Sequence, residues 1–234
     1  MARTDPTTPR ERYRNQVRAE VMERAWEQIA TAGASALSLN AIARQMGMSG
    51  PALYRYFANR DDLITELVRE AYRNLADTLA AAAAGGADLA ALARGLRAWA
   101  LADPQRYLLV YGTPVPGYQA PEDTTAVSRE IAATLLDACT AALPPGAPTT
   151  PLAGHLADHR TWAGGHPAPP EALALFLTVW TRLHGVLSLE LAGHFTGMRF
   201  DPEALFDSEL AALLPRPTPA AGPTAPSEAG RGGA

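Results

Sequence analysis

The sequence contains no lysine, so every fixed positive charge on its side chains is an arginine guanidinium. It has one cysteine, Cys139, which excludes an intrachain disulfide and a cysteine-based zinc cluster. Its longest strongly apolar run, residues 173–180, is far shorter than the roughly 20 residues that a membrane-spanning helix needs. The polar N-terminal segment also lacks the apolar stretch of a secretory signal. These absences predict a cytoplasmic protein with no membrane partner.

The net charge of −4 argues by itself against nucleic-acid binding, but the charges are unevenly distributed. Residues 1–74 carry 11 arginines and 9 acidic residues, whereas residues 75–234 carry 9 arginines and 15 acidic residues. Six of the first 24 residues are arginine. A basic N-terminal segment on an otherwise acidic chain is typical of a protein that binds a polyanion at one end. A solvated charged helix face is the alternative that charge alone leaves open.

Apolar residues recur at helical spacing along the chain, and no stretch shows sustained alternation with β-branched enrichment. The pattern therefore predicts an all-α fold. The last 20 residues are rich in proline, alanine and glycine, a composition typical of disorder. We predict a three-helix N-terminal domain, a long linking helix, a second helical domain and a disordered tail, over residues 10–58, 59–84, 85–214 and 215–234 respectively.

Two short helices predicted in the first domain each begin at a serine that can act as an N-cap. The first follows Ser38 and the second follows Ser49, with Gly47 in the turn between them. Two helices of about two turns each, joined by a glycine-containing turn, form a helix-turn-helix. In this motif the N-terminal residues of the second helix enter the DNA major groove. Here those residues are small enough for close approach: Gly50, Pro51 and Ala52.

The residues after this small tip carry polar groups that suit DNA. The hydroxyls of Tyr54 and Tyr56 can bind phosphates, and Arg55 and Arg60 can bind phosphates or guanine edges. The alternative for the tyrosines is core packing. The tip itself has no side-chain hydrogen-bond donor, so discrimination between sequences must depend on Asn40, on Arg55, on methyl contacts or on DNA shape.

The segment LSLNAIARQMGMSGPALYRYFANRDDLITEL, residues 37–67, resembles the DNA-binding segment of TetR-family transcriptional regulators. The resemblance rests on the helix-turn-helix spacing, on the aromatic exit YRYF and on the acidic start of the following helix. It implies that the supporting helix also lies near DNA and that Arg60 binds a phosphate. The predicted DNA-contacting residues are Ser38, Asn40, Arg44, Ser49, Gly50, Pro51, Ala52, Tyr54, Arg55, Tyr56 and Arg60.

The predicted helix over residues 171–195 is apolar on two faces, so it needs two apolar neighbours. One is the core of its own domain. The other is predicted to be a second copy of the chain, with residues 201–214 completing a four-helix dimer interface. The segment TRLHGVLSLELAGHF also resembles a C-terminal module of TetR-like regulators that is named for a Trp, His and Gly signature, here Trp180, His184 and Gly185.

In that family a small molecule binds between the helices of the C-terminal domain, and aromatic residues with a few polar groups are suited to line such a site. Ordinary core packing is the alternative for each of them. No charged cluster defines the charge of the effector, so a modestly hydrophobic organic molecule is the default expectation, with no cofactor. The candidate ligand-binding residues are Trp99, Tyr107, Tyr111, Trp180 and His184.

The sequence thus predicts a ligand-responsive, dimeric repressor of a near-palindromic DNA operator. An activator or nucleoid-type DNA-binding protein, and an interaction protein that has lost DNA binding, are alternatives on the same fold. A metal-dependent sensor or a small-molecule-processing enzyme is a further alternative, because His155 and His159 have the i, i+4 spacing of metal ligands. No phosphate-binding loop, nucleophile elbow or HExxH motif is present, so no catalytic residue or metal site is predicted.

Overall fold

The computed structural model describes residues 8–112, 115–119 and 121–214, and the regular secondary structure in these ranges is entirely helical. The predicted all-α fold is therefore confirmed. The predicted disordered tail, residues 215–234, lies outside the described residues. The helices are α1 (Pro9–Ala32), α2 (Leu39–Gln45), α3 (Gly50–Leu53), α4 (Arg60–Ala84), α5 (Leu89–Ala102), α6 (Pro104–Tyr111), α7 (Glu122–Ala142), α8 (Pro151–Asp158), α9 (Pro170–Leu191) and α10 (Pro202–Leu213), with 3₁₀ turns at Ala34–Ala36 and Thr161–Ala163.

Side-chain caps determine where two of the N-terminal helices begin. The Ser38 hydroxyl accepts a hydrogen bond from the backbone N–H of Ala41 at 3.3 Å, and the Asn59 side-chain oxygen accepts one from Asp62 at 2.8 Å. The Ser38 cap is as predicted, and asparagine is likewise a common capping residue. The side-chain cap predicted for Ser49 is wrong, because Ser49 precedes α3 without a capping hydrogen bond from its hydroxyl. The second helix of the motif is also shorter than predicted, with four α-helical residues.

The buried residues form two separate hydrophobic clusters, and α4 contributes to both. The N-terminal cluster joins α1, α2 and α3 to the first turns of α4, where Leu63 and Leu67 are fully buried. The C-terminal cluster begins at Leu75 on α4 and includes α5 to α10. At 1.5 Å per residue, the 25 residues of α4 extend about 37 Å. The two clusters support the predicted domain bounds, which stay a prediction at the level of single residues.

The short helix α6 contacts both clusters. Tyr107 is fully buried in the C-terminal cluster, with Tyr111 packed against it. Leu109 packs against the N-terminal cluster, and so does Tyr118 in the segment that follows α6. The Tyr118 hydroxyl lies 3.2 Å from the Thr65 hydroxyl on α4. α6 and Tyr118 are therefore packed between the DNA-binding motif and the rest of the chain.

The helix α9 is apolar and central to the C-terminal cluster. Within the described residues it alone has the length and hydropathy of a membrane-spanning helix, a test that the core helix of a soluble protein also meets. Phe176, Val179 and Leu183 on one predicted stripe are buried, and Leu173 and Leu187 on the other are fully buried. Both stripes thus face the chain's own core. The helix ends at Leu191 rather than at residue 195, because turns begin at Ala192.

Candidate DNA-binding surface and ligand cavity

The tip of α3 lies directly against α2. A Cβ atom placed on Gly50 would lie 3.3 Å from the side-chain oxygen of Asn40. This separation is tighter than most Cβ contacts, so a larger residue at position 50 would displace Asn40. The absence of a side chain at position 50 therefore leaves room for the Asn40 amide next to the tip of the second helix.

The structure brings the predicted DNA-contacting residues to one end of the molecule, with different degrees of exposure. Tyr54 is one of the exposed large side chains of the described residues, with 44% of its surface accessible. Half-buried residues of the predicted set are Ser38, Gly50, Ala52, Tyr56 and Arg60, and exposed residues are Asn40, Arg44, Ser49, Pro51, Tyr54 and Arg55.

The guanidinium of Arg60 donates hydrogen bonds to two backbone carbonyl oxygens. Its Nη2 donates to the carbonyl oxygen of Ala34 at 2.8 Å and to that of Ser35 at 3.3 Å. Arg60 thereby holds the turn between α1 and α2 against the start of α4. The predicted phosphate contact of Arg60 stays a prediction, but the structure adds a positioning role that the sequence did not indicate.

Arg18 is a second positioning residue, and sequence reasoning missed its role. Its Nη1 donates to the carbonyl oxygen of Tyr56 at 2.6 Å, and its Nη2 lies 3.2 Å from the Glu66 carboxylate on α4. Its guanidinium carbon also lies 4.3 Å from the centre of the Phe57 ring. These contacts fix the end of the recognition segment to α1 and α4. In the sequence, Arg18 was one of several arginines in a basic segment.

Four of the five predicted ligand-binding residues lie together. The Tyr111 ring contacts the rings of Trp180 and His184 at centroid distances of 5.6 and 4.6 Å. Tyr107 stacks on His184 at 5.6 Å. Trp99 is the exception: it is buried, and its indole N–H donates to the side-chain oxygen of Asn74 at 2.8 Å.

An open cavity of about 520 Å³ lies beside these rings, between α7 and α9. Its volume is in the range of pockets that hold small organic ligands. Tyr111 and Trp180 line it directly, whereas Tyr107 and His184 lie behind them. The described residues around the cavity are Tyr72, Tyr111, Thr125, Ser128, Arg129, Ala132, Trp162, Phe176, Leu177 and Trp180.

His184 is neutral in this environment. Burial lowers the pKa of His184 to about 4, because the charged imidazolium would lose its hydration. Its Nδ1 lies 3.0 Å from the Tyr107 hydroxyl, which also lies 2.8 Å from the Ser188 hydroxyl. The buried Nε2 of His184 has no hydrogen-bond partner among the described residues. Burial also raises the pKa of Tyr107, so both groups are uncharged at neutral pH.

The two histidines with metal-ligand spacing stack on each other, with ring centroids 4.1 Å apart. His159 also directs its Nδ1 to the carbonyl oxygen of His155 at 2.9 Å. Across the described ranges, no group of three or more His, Cys, Asp or Glu residues is placed to hold a metal ion. Cys139 is buried, and burial raises the pKa of its thiol to about 12.

Polar contacts join α6 to the DNA-binding motif. The Arg106 guanidinium donates to the Glu70 carboxylate on α4 at 2.8 Å and lies 5.3 Å from the centre of the Trp26 ring on α1. The Trp26 indole N–H donates to the other oxygen of Glu70 at 2.9 Å. Through Arg106, α6 contacts both α4 and α1. Since Tyr111 of α6 lines the cavity, α6 connects the cavity to α1.

An exposed helix-turn-helix tip on an all-α chain, joined to an aromatic cavity in a second helical cluster, defines a helix-turn-helix transcriptional regulator. Comparison with known proteins supports this class. A model of tetR-family bacterial regulatory proteins matches residues 21–67, and a model of the tetracyclin repressor-like C-terminal domain matches residues 89–213. The chain belongs to the TetR family of DNA-binding transcriptional regulators.

Individual relatives agree with this assignment. The HTH-type transcriptional regulator Rv1816 of Mycobacterium tuberculosis is 35% identical over 230 residues, which cover 92% of this chain and 97% of that protein. The crystal structure of SCO4313 is 65% identical and superposes with a TM-score of 0.82, covering 88% of this chain and 99% of that chain. A TetR/AcrR-family regulator from Thermobifida fusca shares the fold at 17% identity, with a TM-score of 0.52 and coverage of 85% and 97%.

Proposed function

We propose that the chain is a homodimeric repressor that leaves a near-palindromic operator when an organic molecule occupies the cavity beside α9. The observation that carries this proposal is the position of α6. Its Tyr111 lines the cavity, while its Arg106 and Leu109 contact the N-terminal domain. A molecule that displaces the Tyr111 ring would therefore move α6 against α1 and α4.

Such a molecule releases DNA only if it binds the two conformations of the protein with different affinity. Couplings of about 1–3 kcal/mol are common and change DNA affinity by about 5- to 150-fold. The contacts of Arg106 with Glu70 and Trp26 are the connections through which α6 would act on α1. Rearrangement of these contacts would tilt the recognition helices away from adjacent grooves.

On DNA, we place the small tip of α3 in the major groove, with Asn40, Tyr54 and Arg55 around it. The exposure of these three side chains supports the placement. Their hydroxyl, amide and guanidinium groups suit phosphates and base edges. We assign Arg60 primarily to positioning the turn between α1 and α2, because its guanidinium is held by two carbonyl oxygens.

The dimer we propose uses the outer faces of α9 and α10. Gly185 and Leu189 are exposed on α9, and 45% of the surface of Leu189 is accessible. Met198 and Phe200, between the two helices, are also exposed. A second copy would cover this apolar surface and present two recognition helices roughly 34–36 Å apart, one turn of DNA. We further infer a non-enzymatic, cytoplasmic protein from the regulators that it resembles.

The decisive experiment is a selection of genomic DNA fragments with the purified full-length protein, followed by affinity measurements on the recovered site. We expect a near-palindromic site bound by two copies of the chain. Tyr54→Ala should weaken binding at least tenfold at physiological salt. Leu152→Ala, a change at an exposed residue of α8, should leave it unchanged. Recovery of no specific site, or equal affinity of the two variants, would contradict the proposal.

A further inference from the structure

The cavity beside α9 has one charged side chain among the ten described residues that line it. This residue is Arg129 on α7, and none of the ten is acidic. Thr125, Ser128 and Arg129 have the i, i+3, i+4 spacing of one helix face, so α7 supplies a polar side to the cavity. This charge was not predicted from the sequence, which indicated no charged group for the effector.

The guanidinium of Arg129 has no hydrogen-bond or ion-pair partner among the described residues, in contrast to other arginines of the C-terminal cluster. Arg94 pairs with Asp207 at 2.9 Å and Arg182 with Glu209 at 3.2 Å. The carboxylate next to Arg129 in the sequence, Glu130, is already paired with Arg73 at 2.6 Å. The positive charge of Arg129 therefore has no neutralising partner in the described structure.

The stem of Arg129 is nevertheless in contact with the protein. A Cβ atom placed on Gly164 would lie 3.5 Å from the Arg129 Cδ atom, so the stem passes close to the backbone there. Gly164 has a φ of +62°, a conformation that most other residues avoid. A side chain at position 164 would be strained by this backbone conformation, while its Cβ would make an ordinary van der Waals contact with the stem. The Arg129 stem therefore lies against the backbone at Gly164.

The side of the cavity opposite α7 is aromatic. Phe176 stacks on Trp162 at a centroid distance of 5.6 Å and on Trp180 at 5.7 Å, and Tyr111 meets Trp180 edge-on. A row of stacked rings favours a flat apolar partner. The cavity therefore combines an aromatic surface on α9 with a single unpaired cation on α7.

We infer that the ligand of this cavity is an organic anion, a carboxylate on a flat apolar body. The inference rests on the proposed function, since it names the class of molecule to which the repressor responds. The carboxylate pairs with the planar guanidinium of Arg129, which can donate two parallel hydrogen bonds. The apolar body lies against Phe176 and Trp180. Organic cations are disfavoured, because Arg129 repels them and no carboxylate is among the described residues that line the cavity.

The test uses three probes of one shape and different charge: 2-naphthoate, 2-naphthamide and 2-naphthylmethylammonium. Their binding to the full-length protein is measured by calorimetry at pH 7.5. We expect naphthoate to bind at least tenfold more tightly than naphthamide, and the ammonium probe to bind least. Arg129→Gln should abolish the preference for naphthoate while leaving the affinity for naphthamide unchanged. Arg94→Gln, which removes an exposed and paired arginine, should retain the preference.

Equal binding of the three probes, an unchanged preference in Arg129→Gln, or no binding of naphthoate at millimolar concentration would overturn the inference. Operator affinity measured in parallel separates this result from failure of the proposed function. If a probe releases DNA but binds without preference for the carboxylate, the anion is wrong and ligand response stands. If naphthoate binds through Arg129 and DNA affinity is unchanged, the anion site stands and release by its ligand is wrong.

Discussion

Replacement of Arg18 by methionine tests how the DNA-binding tip is held. The change removes three contacts: a hydrogen bond to the Tyr56 carbonyl oxygen at 2.6 Å, an ion pair with Glu66 at 3.2 Å and a cation–π contact with Phe57 at 4.3 Å. Methionine retains most of the apolar stem, so packing against α4 is largely kept. The stability lost in this variant therefore measures the contribution of the guanidinium.

The magnitude follows from the environment of each contact. A hydrogen bond from a charged donor contributes about 1.5–3 kcal/mol, and a partly exposed cation–π contact about 0.5–1 kcal/mol. The side chains of Arg18 and Glu66 are 26% and 27% exposed, so solvent screening holds their ion pair below about 1 kcal/mol. Because such contributions are not additive, we expect a loss of about 2–3 kcal/mol in the free energy of unfolding. For a chain of this size, the melting temperature should fall by about 4–12 °C.

The assay is urea unfolding, together with operator affinity at fixed salt. Arg24→Met is the matched control, since Arg24 lies on the same helix and its ion-pair partner in the described structure is the exposed Glu27 one turn away. We expect Arg18→Met to lower both stability and operator affinity, the latter at least tenfold, and Arg24→Met to change neither appreciably. If the two variants have the same stability, the assigned role of Arg18 is wrong.

Three further predictions concern α6, the buried histidine and the cysteine. Arg106→Gln and Glu70→Gln should show a coupling of about 1 kcal/mol in a double-mutant cycle of urea unfolding, and additive effects would contradict their contact. Because burial lowers the pKa of His184 from 6.5 to about 4, the unfolded chain binds a proton in this range that the folded chain does not. Stability should therefore fall as the pH falls from 6.5 to 4, by up to about 1.4 kcal/mol per pH unit, and His184→Gln should reduce that slope. Cys139 should resist iodoacetamide at pH 8 in the native protein and react after unfolding in urea, since burial raises its thiol pKa to about 12; rapid labelling of the native protein would contradict its burial.

Features that depend on neighbours in the sequence could be predicted. The caps at Ser38 and Asn59 act within three residues, and the buried stripe of α4 follows from helical periodicity. The partners of Arg18 and Arg60 lie 38 and 26 residues away, so no local pattern indicates them. The same limit applies to Trp99: its aromatic character suggested a ligand site, but its indole bonds to Asn74 on another helix.

The aromatic residues beside the cavity could be predicted from the sequence, but the charged residue at its edge could not. Tyr111, Trp180 and His184 were predicted as ligand-binding residues from the family resemblance, because aromatic residues with a few polar groups suit such a site. Arg129 was not predicted, since an arginine on the outside of α7 has the same local sequence whether it faces solvent or a cavity. Its assignment required the position of α9, which brings the aromatic surface opposite it.

Where helices of this chain meet, arginine makes contacts that lysine could not make. A guanidinium has five N–H donors and a flat face, so one side chain can bind two acceptors and stack on an aromatic ring, whereas an ammonium is a compact charge without such a face. Three arginines within the described ranges make all of these contacts at once, and each joins elements that are distant in the sequence. They are Arg18 with Tyr56, Glu66 and Phe57, Arg97 with Glu190, Glu203 and Phe206, and Arg106 with Asp103, Glu70 and Trp26. A lysine at these positions would keep the positive charge but could not bind two acceptors and stack on a ring, so these contacts between helices depend on the guanidinium itself. Two of the three arginines, Arg106 and Arg18, lie on the path from α6 to the recognition helix.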